Sequence, residues 1–244
     1  MNQQQGFNPT FENGGFWEYY KDLERQFEDF LVYVPYLEGN EETYSFRLAN
    51  LLLSIGAHID SALKEIAKYS DFSIKYPEMV NPTTKKGKPR NPIITDYYPI
   101  SEEYILPKQV VTFKCLPNRE NIFPFENYTR QSGNNLPYWW TAYNNVKHHF
   151  DEGFKEAKLK TVRDALAGAF LLNVIFEPST NRLEKYGIVK DKYQLVGHKK
   201  ERIFSKRKFM DIQHTHVPDS NNCIIETPLF IYEYVYEKPK EPVS

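Results

Sequence analysis

Apolar residues recur at helical spacing along much of the chain and give way to strand-like runs near its end. Between Phe16 and about Val34, the positions Phe16, Tyr19, Tyr20, Leu23, Phe27, Phe30, Leu31 and Val34 follow the i, i+3, i+4 series of one helix face. Pro35 and the Gly39-Asn40 pair end that run. The next helix has the clearest pattern. Ser45 suits its N-cap, and Leu48, Leu51, Leu52, Ile55, Ile59, Ala62, Leu63 and Ile66 form one apolar stripe. His58 falls at the margin of the stripe, and Asp60 and Lys64 make an i, i+4 pair on a more exposed face.

Residues 71–137 break the pattern. Prolines at 77, 82, 89, 92, 99, 107, 117 and 124 precede Pro137, a density that no helix of ordinary length tolerates. Lys108 to Leu116 has the β-branched and aromatic content of a strand. Helical spacing returns at Tyr138, where Pro137 suits the first turn, and again from about Glu156 to Phe176. In that last helix Leu159, Val162, Leu166, Ala169, Phe170 and Val174 face inward. Tyr186 to Val196, Arg202 to Phe209 and Cys223 to Glu237 read as strands. The expectation is a mainly α protein. A polar arm at 1–15 precedes a helical bundle over 16–180, interrupted by a Pro-rich insertion at 71–137. A small antiparallel β element over 181–238 follows.

Composition narrows the class without naming a function. A net charge of -1 over 244 residues argues against polyanion binding by bulk electrostatics. Charge is nonetheless uneven, with acids concentrated in Glu18–Glu42 and bases in Lys199–Lys208 and in Lys85, Lys86, Lys88 and Arg90. The bases suit either phosphate contacts or a solvated edge. Cys115 and Cys223 match no zinc spacing, and two thiols fit a reducing compartment. No basic-then-apolar leader is present, and no run approaches the ~18 apolar residues of a membrane span. The expected setting is therefore cytoplasmic, away from membranes. His214 and His216, with Cys223, lack a fourth ligand, so neither a metal nor a cofactor is expected.

Chemistry concentrates in Tyr138–Asp151, YWWTAYNNVKHHFD. Read as one helix, it lines Trp139, Ala142, Tyr143, Val146 and Phe150 along one side. Trp140, Asn144, Lys147, His148 and Asp151 fall on the other. Asn144 and His148 then align one turn apart. Imidazole moves protons, an amide orients a substrate or the ring, and an ammonium favours an anion such as phosphate. A solvated helix face is the plainer account of the same residues.

The segment Tyr143-Asn144-Asn145-Val146-Lys147-His148 resembles the motif of HEPN-domain proteins, in which an Arg, often followed by Asn, precedes a His by four to six residues. Asn144 and His148 take those two places, and Thr43–Lys64 is similar to the helix that precedes the motif. The resemblance covers roughly 16–70 and 137–176. It implies a four- or five-helix bundle that dimerises through the motif helix, and in many members a metal-independent ribonuclease. Such proteins serve toxin–antitoxin, abortive-infection and CRISPR-linked defence, with an antitoxin or defence-system partner. On that likeness His148 is the acid/base of ribose 2′-hydroxyl attack, and Asn144 and Lys147 orient the substrate and hold phosphate. Tyr143, Trp140, His58 and Asp151 are the substrate-binding candidates; His58 either faces His148 across the bundle or, on the plainer account, is a core-margin histidine with one hydrogen bond. Tyr143 occupies the Arg place of the motif, which opens a second reading, a non-catalytic dimer that binds RNA or a partner. A third is an assembly protein whose C-terminal strands extend another sheet.

Overall fold

The computed structural model describes residues 14–114, 119–130, 135–176, 183, 189–191 and 221–236. Helix α1 (Gly15–Leu31) buries Phe16, Trp17, Tyr20, Leu23, Phe27 and Phe30. Helix α2 (Phe46–Lys68) starts where the sequence places it, with the Ser45 hydroxyl accepting from the Leu48 amide at 3.1 Å. Its whole predicted stripe is buried, and Lys64 pairs with Asp60.

The Pro-rich segment is not a string of loops. Short helices α3 (Ser70–Lys75), α4 (Pro77–Val80) and α5 (Tyr98–Glu103) punctuate it, α4 and α5 each with a proline in the first turn, where no amide partner is lost. Single 3-10 turns lie at Ile94–Tyr97 and Leu106–Lys108. Its strands are β1 (Val111–Phe113) and β2 (Glu120–Ile122). Met79, Tyr97, Ile100, Leu106, Phe113, Phe125 and Tyr128 from this segment are fully enclosed and belong to the same core as α1 and α2.

Helices α6 (Tyr138–His148) and α7 (Phe150–Gly153), with a 3-10 turn at Phe154–Glu156, lead into α8 (Leu159–Ile175). Every residue of α8 except Lys160 is buried. The sequence predicts an inward face; the structure encloses the helix on all sides, packed on α1, α2 and α6 and closed by β1 and the C-terminal strand Phe230–Tyr236.

The C-terminal strands are β3 (Val189–Asp191), β4 (Asn221–Glu226) and β5 (Phe230–Tyr236). The predicted single strand over 223–237 is a hairpin. Pro228 cannot donate to a ladder, and the Thr227 hydroxyl accepts from the Phe230 amide at 3.1 Å to close the turn. The predicted strand at Arg202–Phe209 lies outside the described residues. Among the described residues the sheet is antiparallel and five-stranded, in the order β2-β1-β5-β4-β3. Thr112 faces Ile231 and Phe113 faces Phe230, so insertion and C-terminal extension share one sheet. Strand β5 pairs with β4 along most of its length and with β1 at Phe230 and Ile231. Phe230 stacks on Phe170 of α8 at 5.8 Å and meets Phe113 at 5.6 Å, seating the sheet on the helices.

Candidate functional site

Helix α6 divides by position along its axis as well as by face. Trp139, Trp140, Ala142, Tyr143 and Val146 are buried. The Trp139 indole donates to the Pro124 carbonyl at 2.6 Å, and Trp140 packs 5.0 Å from Tyr143. Trp140 therefore does not share the exposed face with Asn144 and Lys147, as helical spacing suggested. Tyr143 is likewise unavailable to a substrate. Its ring lies where Gly56 of α2 leaves room, and a Cβ there would sit 2.3 Å from the ring.

Polar residues emerge at the far end. Lys147 and His148 are exposed, with Asn144 half-buried one turn behind His148. The Lys147 ammonium rests 5.4 Å from the Tyr143 ring centroid. Neither Lys147 nor His148 has an ion pair or a side-chain hydrogen bond among the described residues. The lysines and arginines at 21, 25, 64, 68, 75, 90, 114, 130, 158 and 163, by contrast, have carboxylate partners.

The helix does not run on to Asp151. His149, at φ -140° and ψ 58°, breaks it. The Gly153 amide then donates to the His149 carbonyl at 2.6 Å, and the chain folds back on α6. Gly153 packs so closely on the Asn145 carbonyl that a Cβ would lie 2.4 Å from it. Asn145 donates to both Glu156 oxygens, at 2.8 and 2.9 Å, and locks the corner. Asp151 is exposed but on α7, out of the face that would align it with His148.

The corner also moves Phe150, expected on the buried side, to the surface. Phe150 is 39% exposed and Phe46, the first residue of α2, is 60% exposed. Phe46 stacks on Phe154 at 4.7 Å and 22° and on Phe150 at 5.9 Å and 14°. Tyr44, 46% exposed, meets Phe154 edge-on at 5.6 Å. Sequence reasoning missed this ladder. Its only local signal is Phe150 and Phe154 at i, i+4 after the polar run, because Tyr44 and Phe46 come from about a hundred residues away.

His58 is 2% exposed, a core residue and not a ligand-facing one. Its ring lies 5.4 Å from both Phe16 and Tyr19 of α1, and its Nε2 is 3.1 Å from the Asn173 amide nitrogen of α8. These neighbours are on α1 and α8, so His58 does not face His148 on α6. The Asn173 amide also donates to the Ala169 carbonyl at 2.9 Å, which leaves its second hydrogen for Nε2. Neutral His58 must then carry its proton on Nδ1, which has no partner. Burial pushes its pKa down to about 4.

A second polar cluster, also missed, surrounds Arg163, which is 1% exposed. Its guanidinium donates to Glu120 at 2.5 Å, to Asp164 at 2.6 Å and to the Tyr36 hydroxyl. It also stacks 4.8 Å from the Tyr36 ring. Tyr138 donates to the second Asp164 oxygen at 2.5 Å. Burial alone would pull the Arg163 pKa down; Asp164, Tyr36 and Glu120 outweigh it and hold the group above its usual value. Burial first, then the Asp164 charge, raises the Tyr138 phenol. The signal was in the sequence, since Arg163-Asp164 interrupts an otherwise apolar helix. All three guanidinium nitrogens of Arg163 meet groups of this chain, Asp164, Glu120 and the Tyr36 hydroxyl, so the cluster reads as structural.

Among the described residues no three His, Cys, Asp or Glu side chains converge on a metal position. His214 and His216 lie outside the described residues. No helix among those described is long and apolar enough to cross a membrane. No family model matches the chain, and no curated protein or solved structure proved similar to it.

Proposed function

We propose that this chain is a HEPN-like RNA-binding protein that meets RNA with the exposed end of α6, through Asn144, Lys147 and His148. One observation carries the reading. Lys147 and His148 stand exposed in the last turn of a helix whose other side is core, and neither is neutralised by a carboxylate among the described residues. An unpaired ammonium beside an imidazole and an amide suits a phosphate and its ribose. The helical core of α1, α2, α6 and α8 is compatible with the bundle that the motif implies. A cytoplasmic setting, a homodimer through α6 and an antitoxin or defence-system partner belong to the same proposal.

Binding without cleavage is favoured. Tyr143, in the Arg place of the motif, is packed against Gly56. Arg163 is tied to the opposite end of α6 through Asp164 and Tyr138. That end lies about 15 Å from His148 along the helix, at ~1.5 Å per residue. The exposed imidazole of His148 supports metal-independent cleavage as the second reading: His148 takes the 2′-hydroxyl proton, the 2′-oxygen attacks phosphorus, the P–O5′ bond breaks, and the 5′-oxygen leaves as a hydroxyl with a proton from water, giving a 2′,3′-cyclic phosphate. The test is titration of unstructured RNA with the wild type and with Lys147→Ala and His148→Ala, in EDTA. Both variants should bind several-fold more weakly while the RNA stays intact. Cleavage lost in His148→Ala would select the nuclease reading, and a wild type that ignores RNA would remove both.

A further inference from the structure

We infer that the aromatic ladder of Tyr44, Phe46, Phe150 and Phe154 is a base-stacking platform for unpaired nucleotides, immediately beside the α6 surface. The inference rests on the RNA-binding reading and names the class of RNA that the site takes.

The ladder is built, not incidental. Phe46, Phe150 and Phe154 lie within 29° of parallel to one another, with centroids 4.7–6.5 Å apart. Each ring sits on a fixed piece of backbone. Phe46 opens α2 after its Ser45 cap. Phe150 and Phe154 flank the corner locked by Gly153 and by the Asn145–Glu156 bonds. Tyr44 is held by its bridge to Lys158 and by the Leu159 amide donating to the Thr43 carbonyl at 2.8 Å. Rings placed this way do not need ordering when a ligand arrives. Their centroids form a triangle with sides of 4.7, 5.9 and 6.5 Å, too close to admit a base between them, so a base would rest on Phe46, the most exposed of the three rings.

Charge decides between partners. Arg47 follows Phe46, Lys147, His148 and His149 precede Phe150, and Lys155 follows Phe154. All five are exposed and without an ion pair among the described residues. Asp151 and Glu152 are also exposed, so the surface is not uniformly basic. A duplex, gripped mainly through its phosphates, needs a denser run of cations. An unpaired strand draws affinity from the faces of its bases and needs only a few cations along its backbone. Near-parallel rings flanked by the cations Arg47, Lys147 and Lys155 fit the second requirement.

The experiment is fluorescence anisotropy with the full chain, a short labelled unstructured oligoribonucleotide, and the same oligonucleotide annealed to its complement. The single strand should bind at least about tenfold more tightly than the duplex. Phe46→Ala and Phe150→Ala should each weaken it about tenfold, the effect of losing one stacked base, and Phe46→Trp should restore or improve binding. Both residues are exposed, and circular dichroism of the variants checks that they fold. If RNA binds but single strand and duplex bind alike and the Phe variants bind as wild type, the platform is overturned while the α6 surface stands. If no RNA binds, both fall. If Phe46→Ala converts a dimer into a monomer in sedimentation and leaves RNA affinity unchanged, the ladder belongs to a second copy of the chain, and the platform is again overturned.

Discussion

At the residue scale, His58 shows how neighbours decide what a side chain does. Exposed, an imidazole is a proton carrier. Between Phe16, Tyr19 and Asn173 it is a neutral spacer, because a second proton on Nε2 would point at the Asn173 amide hydrogen. Its folded pKa of about 4 lies below the ~6.5 of an unfolded histidine. Below pH 6.5 the unfolded chain therefore takes up a proton that the folded chain refuses. The stability contribution is complete above about pH 6.5 and falls away as the pH drops towards 4, by about 3 kcal/mol in all. Urea unfolding at several pH values should show that slope in the wild type. His58→Gln keeps an acceptor for Asn173 without a titrating proton, and it should flatten the slope across this window. An unchanged slope in the variant would assign it to the carboxylates.

At the element scale, one carboxylate fastens the β4–β5 hairpin to α1. Glu24, 2% exposed, accepts from the Leu229 amide at 3.0 Å and from the Thr227 hydroxyl at 2.5 Å. Burial raises its pKa, and the Thr227 and Leu229 bonds only partly offset this. The sign is opposite to that of a surface ion pair. With the folded pKa above the unfolded one, the contribution of Glu24 is fullest at low pH and declines as the pH rises through the folded pKa. Glu24→Gln keeps an acceptor oxygen for both bonds and removes the buried charge. It should raise the denaturation midpoint at pH 7 and change it little at pH 4. A loss of stability at pH 7 would mean that the charge strengthens the two bonds by more than its burial costs.

At the scale of the whole molecule, Arg163 joins parts that are remote in sequence. Tyr36 follows α1, Phe113 and Glu120 lie on β1 and β2, and Asp164 and Tyr138 bring in α8 and α6. Glu120 is half exposed and can turn to water, but Asp164 is buried, and removing Arg163 strands its charge. Arg163→Ala should therefore cost about 3–5 kcal/mol in equilibrium unfolding. A cost under about 1 kcal/mol would mean that water replaces the guanidinium and that the cluster is not what joins these elements. The cluster also reaches the Pro-rich segment, through Phe113 and Glu120. Prolines limited its helices to a turn or two, but they left its aromatic residues free to enter the common core.

Local pattern alone determined α1, α2, α6 and α8, the Ser45 cap and the Asp60–Lys64 pair, because a helix face and its cap are set by residues within a few positions of one another. It also singled out Asn144, Lys147 and His148, which do stand together at the end of α6. Tertiary structure decided the rest. It enclosed Trp140, since burial depends on which neighbours surround each turn and not only on the face a residue occupies. It broke the motif helix at His149, where Gly153 can approach the Asn145 carbonyl. It brought Phe46 to Phe150 and Phe154, and Arg163 to Glu120, across separations that periodicity cannot span. The polar end of α6 was legible from the sequence; the aromatic ladder beside it exists only because two distant segments fold against each other.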